Sequence, residues 1–312
     1  MEYNKMMLVP VMLLFAVNVV SAAGFEYDET PFLNAVYENA KCRVDFTNDL
    51  IDAMVEEEPS ESDLLDYQDT LNADMSELYT LAQAGDRTGF AEHMRGTLKD
   101  DFVDTKDAMR ESRGRIRNNE SAGNGKMNRL RNEYNSLNET YTACNYNTMK
   151  NMARERHNWM NHVMEYWKNK SANLAQKGVD TSELDDVIDG AEETIVAPYN
   201  NEVNNAGDSS QVRAAMGKYC LGNGCAEGTN YHFYAKAESA KLNGILGYLE
   251  EDAEEAGLGS EVEEAQGYLD SANDGVQRTG YEQYAEGVAE SVWDDIKSAA
   301  ETVREIFGEL RG

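Results

Sequence analysis

The chain has 312 residues, enough for one elongated domain or two compact ones with a sizeable core. Its formal net charge of −30 sets 58 Asp and Glu against 28 Lys and Arg. That balance excludes a general nucleic-acid binder, whose surface must neutralise phosphates.

The charge is unevenly spread. Residues 23–105 carry 21 acids and 5 bases, residues 106–177 carry 7 acids and 14 bases, and residues 178–312 carry 29 acids and 8 bases. Strongly acidic surfaces suit proteins working in high salt, where self-repulsion is screened, so a salt-loving source is the expectation. The four prolines and the long three-to-four-residue apolar periodicities predict an all-α protein.

Residues 1–23 read as a secretory signal. Met6 to Val20 is apolar except for Pro10 and Asn18, and Val20-Ser21-Ala22 or Ser21-Ala22-Ala23 offers a small-residue cleavage site. The apolar run is short of the roughly 20 residues of a comfortable membrane span. A retained N-terminal anchor is the rival reading, since Glu2 offsets Lys5 in the leading segment. The expectation is an exported chain with no stable membrane span after signal cleavage.

Predicted helices then follow in order. The first covers 32–57, with Phe32, Val36, Ala40, Val44, Ile51 and Met54 on its apolar side, and Pro59 ends it. The second covers 63–83, closed by Ala84-Gly85-Asp86, and the third 88–117. Asn118 to Gly125 reads as a linker. A long helix over 127–177 follows, with a break expected near Cys144 to Asn147, where asparagines lower helix propensity. A helix over 183–205 should kink or end at Pro198. A short helix over 209–221 comes next, and then helices over 230–256, 261–273 and 280–310.

Corners recur between them. Gly178 supplies a left-handed helix stop, and Ser182 is placed to cap the next helix. Gly257-Leu258-Gly259-Ser260 repeats this layout, with Ser260 and Glu263 matching a capping box, and Pro59 to Leu64 is a looser copy. Ala206-Gly207-Asp208 repeats the 84–86 turn, and Arg278-Thr279-Gly280-Tyr281 matches Arg87-Thr88-Gly89-Phe90. These echoes predict an elongated antiparallel helical bundle of about three three-helix units: 24–118, 126–222 and 229–312. The last unit's middle helix looks shorter than its counterpart over 63–83.

Four cysteines in an exported protein read as two disulfides, with three pairings open. Cys220 and Cys225 flank a flexible Leu-Gly-Asn-Gly loop, which favours Cys220–Cys225 and leaves Cys42–Cys144. Helix counting supports the local pair, since Cys220 falls beside residues near 165, roughly 30 Å along the long helix from Cys144. A zinc site is the weaker rival, because C-x4-C lacks a second close pair.

Candidate sites are few. A basic belt over 106–131 includes Arg110, Arg113, Arg115, Arg117, Lys126, Arg129 and Arg131. Local charge balance is its simplest role, and contact with an anionic partner is the sharper one. The aromatic helix 149–174 carries Trp159, Tyr166 and Trp167, which with Tyr231, Phe233 and Tyr234 offer a sugar-stacking platform or, more simply, a core. His157 and His162 lie five apart, about 140° around a helix, where metal ligands want a spacing of three or four. His93 and His232 have no evident partners. The acidic runs Glu56-Glu57-Glu58 and Glu250-Glu251-Asp252 lack the ordered ligands of a calcium loop. Glycosylation triplets stand at Asn119, Asn138 and Asn169, with Asn119 in the clearest loop. Nucleophile elbows, phosphate loops and HEXXH patterns are absent, so no enzyme, cofactor or metal is expected.

The Gly-Val-Asp-Thr-Ser-Glu-Leu corner, the Ala-Gly-Asp turn and the long flanking helices resemble helical repeats of exported archaeal surface proteins, and the acidic composition is similar to that of haloarchaeal proteins. The resemblance is one of repeat style over residues 32–310. It implies an extracellular structural setting and carries no catalytic residues. The expected function is a secreted, non-enzymatic helical structural or interaction protein, of coiled-coil-like bundle type, with a protein or cell-surface partner. The alternative is a binding module for an anionic or carbohydrate ligand, through the basic belt and the aromatic helix.

Overall fold

The structure is a computed structural model that describes residues 27–118, 123–219, 221, 233–278 and 288–310. It is all-α, and no strand occurs among the described residues. The helices are α1 (Thr30–Glu57), α2 (Leu64–Gln83), α3 (Arg87–Arg95), α4 (Thr97–Asn118), α5 (Gly123–Ala175), α6 (Ser182–Ala191), α7 (Ala197–Asn205), α8 (Ser209–Lys218), α9 (Phe233–Ala256), α10 (Gly259–Arg278) and α11 (Val288–Glu309). Among the described residues, no helix is long and apolar enough to cross a membrane.

The chain divides into two compact units. One comprises Glu26–Arg156 with Ala206–Arg213, and the other His157–Asn205 with Ala214–Gly312. In the first, α1 and α2 run antiparallel: side-chain amide bonds pair Asn34 with Gln83, Asn48 with Asn72 and Asp52 with Gln68. Phe46, Leu50, Ile51 and Met54 of α1 meet Leu64, Met109 and Ile116. The N-terminal half of α5 covers this cluster with Met127, Leu130, Tyr134, Leu137 and Tyr141, a stripe at helical spacing. In the second unit, α9, α10 and α11 close a cluster that includes Leu246, Leu249, Leu269, Ile296 and Ile306.

Among the described residues, three helices end on a left-handed glycine: Gly85, Gly178 and Gly257. Each shows the same closure. Val179 N–H donates to Leu174 C=O, as Asp86 does to Leu81 and Leu258 to Ala253. This six-to-one bond satisfies a carbonyl left open at the helix end. At Gly178, φ is +88°, where a Cβ would crowd the following carbonyl. The corner also receives α9: a Cβ on Gly244 would stand 2.3 Å from the Asp180 carbonyl oxygen. Only a glycine lets the two backbones come this close.

Several expectations are corrected. Ser182 is the first residue of α6 rather than its cap; Asp180 Oδ1 accepts from Ser182 N–H at 3.0 Å. Ser260 lies inside α10, which begins at Gly259, and its hydroxyl turns to Glu261. The Pro59 corner is a single 3-10 turn, Pro59–Glu61, so the third true copy of the glycine corner is at Gly85. Gly207 does not take a positive φ, although Asp208 caps α8 through Gln211 N–H as Asp86 caps α3 through Gly89 N–H.

The helix expected over 88–117 is broken at Gly96, whose φ of −93° and ψ of −94° leave the helical region. By contrast, no break occurs at Cys144 to Asn147. There the asparagines serve packing: Asn39 Nδ2 donates to Asn145 Oδ1 at 3.0 Å and to Thr148 Oγ1 at 2.8 Å. These cross-helix bonds outweigh a weak local propensity. Pro198 does not end its segment. A π-turn, Glu192–Val196, precedes it, with Ala197 N–H bonded to Glu192 C=O, and the widened turn accommodates the ring. The helix expected over 261–273 is 20 residues long, as is α2.

Candidate functional site

The basic belt is mostly consumed within its own unit. Glu61 is 4 % exposed, and Arg115 of α4 clamps it bidentately, with Nε 2.8 Å from Oε1 and Nη2 on Oε2. The guanidinium holds the Glu61 carboxyl below its ordinary value. Arg129 of α5 makes a second fork on Glu57, at 2.5 and 2.6 Å, and Lys126 reaches Glu58 at 3.0 Å. Arg110 pairs with Asp107 on its own helix at 2.7 Å. Thus Glu57 and Glu58 are a counter-surface for the belt that latches α5 to the end of α1, while Arg115 of α4 closes on Glu61 in the 3-10 turn that follows. What remains is Arg113, Arg117 and Arg131. Among the described residues none of them forms an ion pair; Arg117 and Arg131 are exposed and Arg113 is half-buried.

The aromatic helix is chiefly core. Trp159 is buried and Trp167 is 1 % exposed. Trp167 stands edge-on to Phe233, with centroids 6.0 Å apart, and Tyr166 edge-on to Trp167 at 5.7 Å. Burial removes both tryptophans from a stacking platform, while the half-buried Tyr166 ring has Lys170 Nζ 5.5 Å from its centroid. Burial also pushes the Tyr234 hydroxyl well above its ordinary range. Tyr231 lies outside the described residues. His157 stacks on Tyr199 at 6.4 Å, and burial lowers its pKa. Among the described residues, no group of three or more His, Cys, Asp and Glu is placed to hold a metal ion.

Cys42 and Cys144 are disulfide-bonded, with Cα atoms 6.0 Å apart, joining α1 to α5. Cys220 and Cys225 lie outside the described residues. Of the glycosylation triplets, Asn119 also lies outside them. Asn138 and Asn169 fall within the continuous α5, the first half-buried and the second exposed.

One constellation escaped the sequence reading. Asp74 of α2 is 6 % exposed. His93 of α3 brings Nε2 to 3.3 Å from Asp74 Oδ1 and Nδ1 to 3.7 Å from Glu77 Oε1. The carboxyl of Asp101, on α4, acts on Asp74 as a like charge and a hydrogen-bonding neighbour. Burial, followed by this second carboxyl, raises the Asp74 pKa to about 6. Asp74 and His93 are 19 positions apart on different helices, and Gly85 and Gly96 set where those helices turn. No local spacing signals the meeting.

Compared with known proteins, the chain matches no protein-family profile, no characterised sequence and no solved structure.

Proposed function

We propose that this is a non-enzymatic helical structural or interaction protein of the cell surface or extracellular space. The observation that carries the reading is the Cys42–Cys144 bridge between two helices, since such bonds persist in oxidising compartments. The repeated glycine corners and the pairing of Arg115, Lys126 and Arg129 with Glu61, Glu58 and Glu57 support it further, since these charges hold segments of the first unit together. The test is fractionation of native cells followed by alkylation of free thiols. The reading expects the mature chain at the surface or in the medium, with Cys42 and Cys144 protected. A reduced protein retained in the cytosol would refute it.

A second reading is favoured by Arg113, Arg117 and Arg131, three cations left over after the belt has paired. They fit contact with an anionic ligand or partner, screened by salt as exposed charges are. Reversal of all three to Glu should abolish retention on a sulfated-glycan resin at low salt. Unchanged retention would eliminate this reading.

A further inference from the structure

The Asp74 cluster is not used by either reading. Asp74 and His93 are about nine-tenths buried; His93 Nε2 approaches Asp74 Oδ1 at 3.3 Å without the alignment of a hydrogen bond, and Asp74 Oδ2 has no hydrogen-bond partner among the described residues. Two facing carboxylates are both acceptors, so their contact becomes a hydrogen bond only when one holds a proton. We propose that Asp74, Asp101 and His93 form a proton-controlled clasp that ties α2 to α4 in acid and loosens as pH rises.

The elements packed on α2 determine what Asp74 meets. From α4 comes Asp101, from α3 His93, and from α2 itself Glu77. From α1, no charged group among the described residues acts on it; that side is bridged by amides such as Asn48 and Asn72. When protonated, Asp74 donates to the half-buried Asp101 and the pair carries a single negative charge. When the proton leaves, two like charges face each other in a poorly solvated space. Among the described residues, His93 is the only nearby group that offsets them, and it does so in part. Burial and the second carboxyl place the transition near pH 6, where an ordinary aspartate is long ionised.

The sign follows from linkage. The Asp74 pKa is raised from 3.8 to about 6, so its stabilisation is complete below the unfolded value and disappears as pH rises through 6. Asp74→Asn keeps the shape and supplies an amide donor toward Asp101, but it cannot ionise. Between about pH 4 and pH 7, the folded-to-unfolded ratio of the wild type should fall by up to roughly 100-fold relative to this variant. Parallel curves for the two proteins would overturn the proposal. If Asp74→Asn does not fold, Asp101→Asn, which removes the facing carboxyl but leaves Asp74 buried, should reduce the same pH-dependent difference. Independently, carboxyl carbon-13 shifts of the wild type should show Asp74 titrating near 6. Titration near 4, or a midpoint displaced by adding calcium and restored by a chelator, would overturn the clasp.

Discussion

Breaking the Cys42–Cys144 bridge tests the first unit most directly. The bond closes a sequence separation of 102 residues. In the chain-entropy description, a loop of that size limits the unfolded chain by about 4 to 5 kcal/mol. The folded state should lose little of its own geometry. Beside the bridge, Asn39 still bonds Asn145 and Thr148, and Phe46 still stacks on Tyr141 with centroids 4.9 Å apart. The loss therefore acts through the unfolded ensemble. With a urea slope on the order of 3 kcal/mol/M, the midpoint should fall by about 1.5 M. Cys42→Ser/Cys144→Ser isolates this bond from any other thiol. The chain contains three tryptophans, Trp159, Trp167 and Trp293, and all lie in the second unit. Far-UV dichroism should thus report the shifted transition more strongly than tryptophan fluorescence does. An unchanged dichroism midpoint, or a shift seen in fluorescence alone, would refute the reasoning.

Gly244→Ala should cost about 1 to 3 kcal/mol by calorimetry, because the new methyl meets the Asp180 carbonyl at 2.3 Å. Gly247→Ala, with nothing within 4 Å, should instead stabilise α9 by about 0.5 to 1 kcal/mol. The pair separates helix propensity from close packing. Glu61 acts in the opposite pH sense from Asp74. Its pKa is lowered by Arg115, so its stabilisation is present above the unfolded value, near 4.3, and is lost as pH falls through the folded one. Glu61→Gln should flatten acid unfolding in that window, and equal acid sensitivity of both proteins would count against the clamp. Finally, a chain with net charge −30 should gain stability as salt screens its self-repulsion. Greater resistance to urea in dilute buffer than in concentrated salt would contradict that expectation.

Helix type and extent were written locally. The apolar spacing from Val36 to Met54 and the glycines at 85, 178 and 257 are signals carried within one helix and its stop. What did not show was anything decided between helices. The Cys144 to Asn147 segment looked weak because its asparagines lack intrinsic helix preference, yet Asn39 on another helix gives them a purpose. The belt read first as local charge balance, but which carboxylates it meets did not show, because Glu57, Glu58 and Glu61 stand 54 to 72 positions away. The Trp159 and Trp167 rings read more simply as core than as a platform, and what Trp167 packs against, Phe233, could not be read from spacing. Helix ends were misjudged where two polar residues competed: Asp180 rather than Ser182 accepts the first amide of α6.

The latch at the end of α1 has a consequence for assembly order. A helix C-terminus carries the negative pole of the aligned peptide dipoles, equivalent to about half an elementary charge. α1 places Glu56, Glu57 and Glu58 there, with no basic residue in its last turn. Locally that turn is frustrated: four sources of negative potential occupy one helical end. Relief comes from chain that follows much later, namely Lys126 and Arg129. A nascent fragment ending before α5 should therefore fray at α1's last turn, which closes only once the cations of α5 dock.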